Sequence, residues 1–271
     1  MRARFGTVAV ILAAGAVFAA DVRDLGVPAG WRASEYENHG YDLLNKRDFE
    51  NARRYLDAAI RIDPHVWTAY YNRAMVFCQQ KKWAAARQDL NSAIHLNRSF
   101  VGAAYIRAEV NTRLGNYRAS LADLDDIATI TVKTHDTLLL DEVLNNRAWL
   151  RATCPDPSIR SGQLAVADAT KSCELGNCDL DTLAAGYAEA GDFESAIRYQ
   201  QQAIAQRKAV PEKASRTIAK LRYDKELYKK ISDDLAEEVK KSLTEFSRRL
   251  ELYKQHRPYR DDRMGVSLGL H

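Results

Sequence analysis

The sequence is short of every signature that announces a reaction. It holds four cysteines but no CxxC and no HExxH, and its six histidines are scattered through 271 residues. A metal site therefore finds no ligand spacing to support it. No phosphate loop, nucleophile–base pair or carboxylate pair stands out, so the chain reads as non-catalytic and without a cofactor. An excess of one charge is missing too. Forty Lys plus Arg against 36 Asp plus Glu leave a formal +4, a balance that demands no nucleic-acid partner. Gly and Pro are absent from Glu212 to Arg257, which removes the usual turn signals from that stretch. A membrane-length apolar run is lacking as well: the one from Phe5 to Phe18 falls short of the ~20 residues needed to span.

What that short run does resemble in outline is a secretory leader. Arg2 and Arg4 precede it, and small residues follow it before the first acid, Asp21. The expectation is a signal peptide over 1–20 and a linker over 21–32. The product would be periplasmic or secreted, with no stable membrane span after cleavage; a retained anchor is the alternative. Four cysteines in an exported chain are compatible with disulfides. Only Cys173 and Cys178, five apart across a turn-like LGN stretch, can meet without knowledge of the fold.

A period of 34 residues organises the middle of the chain. Ala33–Val66, Trp67–Phe100 and Val101–Thr134 align without gaps. Their eighth position is small (Gly40, Ala74, Ala108), their seventeenth aromatic (Phe49, Trp83, Tyr117) and their twentieth small again (Ala52, Ala86, Ser120). A further copy, LDTLAAGYAEAGDFESAIRYQQQAIA from Leu180, keeps the pattern with Ala184, Phe193, Ala196 and Ala203. Small residues belong where two helices cross closely, because a larger side chain would force the backbones apart. Gly115 and Gly191 suit the tight turn between the paired helices.

This pattern resembles the tetratricopeptide repeat family, whose unit is a 34-residue helix–turn–helix. The resemblance implies an all-α, right-handed superhelical solenoid. Five repeats are expected, at 33–66, 67–100, 101–134, 141–176 and 177–210, then amphipathic capping helices over 211–257 and a tail over 258–271. In the fourth repeat, WLRATCPDPSIR leads into a helix with Ala165, Ala169 and Ser172, and a longer loop replaces the short turn. That arrangement resembles a recurrent bacterial variant of the repeat, whose chain often closes with a run like RLELYKQHRPYRD, here Arg249 to Asp261. Pro155 and Pro157 end the helix, so Cys154 marks a helix terminus. A nucleophilic Cys154 would need a base and a depressed pKa, and a helix C-terminus is the wrong dipole end for a thiolate.

Charged residues depart from the commonest pattern at two positions. The seventh residue is Arg73, Arg107 and Arg147 in repeats two to four, and the twenty-third is Asp89, Asp123 and Asp168. The first and fifth repeats have neither, carrying His39 with Tyr55 and Leu183 with Tyr199. Arginine and aspartate occurring together read as ion pairs between the two helices of each middle repeat. An arginine stripe for an acidic ligand is the alternative.

From Ile231 to Tyr253 apolar residues recur at three to four, one helical face. That face suits a cap over the last repeat. Residues 207–260 also carry sixteen Lys plus Arg against nine Asp plus Glu.

The resemblance places the binding surface on one face of each repeat's first helix. Tyr41, Tyr71, Asn72, Tyr105, Asn146 and Trp149 would line it and hold a peptide or protein segment of a partner. The family's clamp for a terminal carboxylate needs basic groove residues. Glu37, Tyr41, Gly102 and Ile106 stand at those places, so no such clamp is implied. The function expected is a non-catalytic interaction scaffold. A structural envelope protein using its basic C-terminal helix, or a non-catalytic subunit of an envelope enzyme complex, is the alternative.

Overall fold

In the computed structural model the described residues are 30–176, 178–219 and 225–262, with the side chains of 211–219 and 225–228 left aside. The expected signal peptide over 1–20, most of the linker and the end of the tail lie outside them. Eleven α-helices and no strand are found among the described residues. They are α1 (Ala33–Asn45), α2 (Phe49–Ile62), α3 (Trp67–Gln79), α4 (Trp83–Leu96), α5 (Val101–Arg113), α6 (Tyr117–Thr134), α7 (Thr137–Thr153), α8 (Gly162–Leu175), α9 (Leu180–Glu189), α10 (Phe193–Ala219) and α11 (Lys225–Lys254). None is long and apolar enough to cross a membrane.

The chain divides into two compact lobes, one ending at Val110 and the other beginning at Asn111. Each is built from helix hairpins. In the first lobe α1 pairs with α2 and α3 with α4; in the second α7 pairs with α8, α9 with α10, and α10 with α11.

The small positions of the sequence pattern are the helix crossings. Ala52, Ala74, Ala86, Ala148, Ala165, Ala184 and Ala196 are fully buried, and Ala93, Ala108 and Ser120 nearly so. The pattern is strictest where neighbouring helices press closest. A Cβ added at Gly40 would sit 2.7 Å from Leu56 Cγ, and one at Gly162 would sit 2.2 Å from the Ala190 backbone nitrogen. Gly162 opens α8 directly against the end of α9, and no side chain fits between them.

The turns between paired helices share one geometry. The fifteenth residue of four repeats has left-handed φ: Arg47 at 63°, Lys81 at 58°, Gly115 at 74° and Gly191 at 86°. The following amide closes the helix by bonding back five residues, as Asp48 N–H does to Leu43 O and Asp192 N–H to Tyr187 O. This left-handed C-terminal cap favours glycine. Repeats one and two adopt it with charged residues instead.

The fourth repeat's long loop is held rather than loose. Ile159 is buried, Ser161 N–H donates to Arg151 O at 2.9 Å, and Arg160 donates to the carbonyls of Cys154 and Pro155 while its Nε reaches Glu189 at 3.0 Å. Asp136 and Ser161 cap α7 and α8 through Leu139 N–H and Leu164 N–H.

Two expected boundaries shift. The second helix of the fifth repeat does not stop at 210; α10 continues through Pro211 to Ala219. The expected tail from 258 begins with packed residues: Tyr259 is 3% and Asp261 7% exposed. They are held because the chain, after α11, turns back onto α7 and α9.

Candidate functional site

In the first lobe, α1 and α3 present Glu37, Tyr41, Tyr71 and Asn72. Tyr41 is 49% exposed, although its ring is large and partly apolar. Tyr71 is half-buried and meets Phe100 edge-on, with centroids 5.0 Å apart. Asn72 is buried and donates from Nδ2 to Glu37 Oε1 at 2.6 Å. Burial pushes the Glu37 carboxyl above the usual carboxylate range, opposed by the hydrogen bonds from Asn72 and Thr68. Tyr105 on α5 is half-buried.

In the second lobe the corresponding face of the first helices is already occupied. Asn146 and Trp149 both lie half-buried on α7. Trp149 does not face free space. Its Nε1 donates to Asp261 at 3.1 Å, and its ring lies 6.0 Å from that of Tyr259. The Arg249 guanidinium sits over the same indole, 4.9 Å from the ring, and 4.8 Å from the Tyr259 ring. Arg249 also donates to Asp181 on α9 in a buried ion pair. Gln200 Nε2 completes the carboxylate's environment at 2.7 Å. Farther along, Arg260 pairs with Glu189 at 2.7 Å, and Asp261 N–H donates to Thr153 O at 2.9 Å. Tyr253 is fully buried beneath this layer. The run from Arg249 to Asp261 thus lies along α7 and α9 as a bound segment would. The expectation of Trp149 as an open groove anchor is corrected accordingly: the segment that covers it lies 112 residues away in sequence, beyond the reach of any local pattern.

The charged positions form staples. Arg73 holds Asp89 with both Nε and Nη2 at 2.7 Å, and its Nη1 reaches Asp57 on α2 at 2.7 Å. Burial opposes the charge on Arg73, but hydrogen bonds and attraction from Asp89 and Asp57 outweigh it, so its pKa lies above the ordinary value. Arg147 repeats the design, bidentate to Asp168 at 2.9 and 2.6 Å and to Asp125 on α6 at 2.9 Å. Arg151 adds a second guanidinium to the same two acids. Arg107 donates to Asn91 at 2.9 Å, and Asp123 accepts from Asn111 at 3.2 Å. Asp57, Asn91 and Asp125 all stand twenty-fifth in their repeats. Each seventh-position arginine therefore also reaches back to the preceding repeat. The recurrent polar residue at position twenty-five was the sequence signal for that partner, beyond the pairs expected within single repeats.

Cys154 is fully buried at the end of α7, and burial raises its thiol pKa. An inert thiol results. Cys78 is buried as well, and Cys173 is joined to Cys178 just beyond α8.

Three comparisons bear on this geometry. Residues 41–108 match the model of the tetratricopeptide repeat family. Serine/threonine-protein phosphatase 5 of Homo sapiens is 29% identical over 136 residues, covering 48% of this chain and 27% of that protein. The mitochondrial import receptor subunit TOM70 of Homo sapiens is 30% identical over 120 residues, covering 42% of this chain and 20% of its own length. The chain thus spans about a quarter of the curated relatives it matches. Among solved structures, MamA (41-end) of Desulfovibrio magneticus RS-1 superposes with a TM-score of 0.54 at 15% identity, over 67% of this chain and 98% of that one. That likeness concerns the fold alone: an all-helical array of helix hairpins.

Proposed function

We infer that the protein is a non-catalytic interaction scaffold, and that the first-helix face of its first lobe holds a peptide or protein segment of a partner. One observation carries this reading. The equivalent face of repeats four and five already holds the chain's own run from Arg249 to Asp261, the end of α11 and the residues after it, through an ion pair, aromatic and cation–π contacts and a backbone hydrogen bond. The same first-helix face in repeats one and two carries Tyr41, half exposed, and Tyr71, half-buried, with Asn72 buried next to Tyr71 on α3. Tyrosine suits such a role because it offers apolar area and a polar tip at little entropic cost.

The matches to phosphatase 5 and to an import receptor subunit favour protein binding over chemistry of the repeats themselves. The WLRATCPDP repeat variant, the leader-like start and a Cys173–Cys178 disulfide fit an exported protein, since disulfides persist in oxidising compartments.

Site-specific photocrosslinking tests the reading. A benzophenone side chain at Tyr41 should join the partner, whereas one at Gln88 on α4, the second helix of its repeat, should not. Crosslinking from Gln88 with Tyr41 silent would place the interface on the other side of the hairpins.

A further inference from the structure

The segment held by repeats four and five shows what kind of side chain this face accepts. Arg249 enters with its guanidinium on Asp181 and its central carbon over the rings of Trp149 and Tyr259. Asp181 is the fifth residue of its repeat. The fifth residue of the first repeat is Glu37, so the two carboxylates occupy equivalent places on their first helices.

Glu37 is half-buried, and among the described residues the side chains that hydrogen-bond it, Asn72 and Thr68, are both neutral. A partly buried carboxylate held only by neutral donors gains most from a cation, because charge-assisted bonds are about twice as strong as neutral ones. The aromatic surface beside it matches a guanidinium in particular. Tyr41 is half exposed one turn along α1, and Tyr71 continues onto Phe100. Arginine stacks on such rings and forks onto a carboxylate, whereas an ammonium acts as a strongly hydrated point charge. A segment ending in carboxylates would instead bring like charge against Glu37.

We propose that Glu37, Tyr41, Tyr71 and Asn72 form a pocket for an arginine-bearing segment of a partner protein, with the guanidinium on Glu37 and its apolar neighbour on Tyr41. This specifies the ligand chemistry of the face assigned above and rests on that assignment.

The test uses the full chain and two probes, N-acetyl-arginyl-tyrosine amide and N-acetyl-glutamyl-tyrosine amide, followed by amide chemical shifts along α1 and α3. The arginyl probe should produce saturable shifts around Glu37 and Tyr71. Glu37→Gln, which keeps the shape and removes the charge, should weaken it at least tenfold, and the glutamyl probe should leave those amides unmoved. Equal response to both probes, indifference to Glu37→Gln, or no saturable shift with the arginyl probe would overturn the proposal. The crosslink from Tyr41 separates the two levels. If it persists while the arginyl probe fails, the binding face stands and its arginine specificity falls; if both fail, the face itself is wrong.

Discussion

At the scale of single residues, equivalent positions of the repeats are filled with different chemistry. The fifteenth residue of four repeats is left-handed, yet only two of the four are glycine. A side chain in that region costs roughly 1–2 kcal/mol, partly offset because glycine also gains more freedom when unfolded. Lys81→Gly should therefore raise stability by about 0.5–1 kcal/mol in urea melts, and Gly115→Lys should lower it by a similar amount. The seventh and twenty-third positions tell a parallel story. Arg73 and Asp89 meet as an ion pair, while His39 and Tyr55 meet as rings with centroids 4.4 Å apart. Arg73→Leu strands Asp89, which is 4% exposed, and should cost about 1–3 kcal/mol, below the fully buried case because the guanidinium is partly open to water. The double variant Arg73→His with Asp89→Tyr, which copies the first repeat's pair, should recover part of that loss. A double-mutant cycle reads the coupling directly; strictly additive losses would deny it.

At the scale of elements, what could be read in the sequence was what a hairpin decides for itself. Ala52, Ala86 and Ala196 are small because their own partner helix leaves no room, so a 34-residue spacing exposes them without any knowledge of the rest. The all-helical repeat architecture was legible for that reason. What repeats do to one another was harder. Asp57 serves Arg73 across a repeat boundary, and nothing in the local period of either helix requires it. The C-terminal layer was the least legible. An apolar stripe from Ile231 to Tyr253 was visible, but its burial is uneven along α11: Ile231 is 37% exposed and Val239 5%, Leu243, Phe246 and Leu250 are half-buried, and Tyr253 at the end is fully buried. The deep end is fixed by partners on α7 and α9. Removing Arg249 leaves Asp181 as a stranded carboxylate in a dry site, a loss of about 3–5 kcal/mol. Arg249→Leu should accordingly lower the melting temperature and shift the fluorescence of Trp149 as its ring becomes wet. An unchanged melt would mean that the run from Arg249 to Asp261 contributes little to the fold. Close backbone contact gives a sharper test of helix pairing. Gly162→Ala sets a methyl into the Ala190 backbone, and the resulting overpacking should cost about 1–3 kcal/mol.

At the scale of the whole molecule, one kind of surface is used twice. In the second lobe the first-helix face holds the chain's own C-terminal run and contributes stability. In the first lobe the equivalent residues keep Tyr41 half exposed and Glu37 among neutral partners, and there the surface is assigned to binding. Trp149 and Tyr41, both ninth in their repeats, were alike on the page because sequence position says which way a side chain points, not what returns to cover it. The most direct measurement sets these two residues against each other, scoring Tyr41→Ala and Trp149→Ala for partner capture and for thermal stability in the same preparations. Tyr41→Ala should weaken capture about tenfold, or roughly 1.4 kcal/mol, and leave the melt in place. Trp149→Ala should lower the melt by several degrees and leave capture by the remaining folded protein unchanged. The reverse pattern, with capture lost at Trp149 and stability lost at Tyr41, would contradict the account.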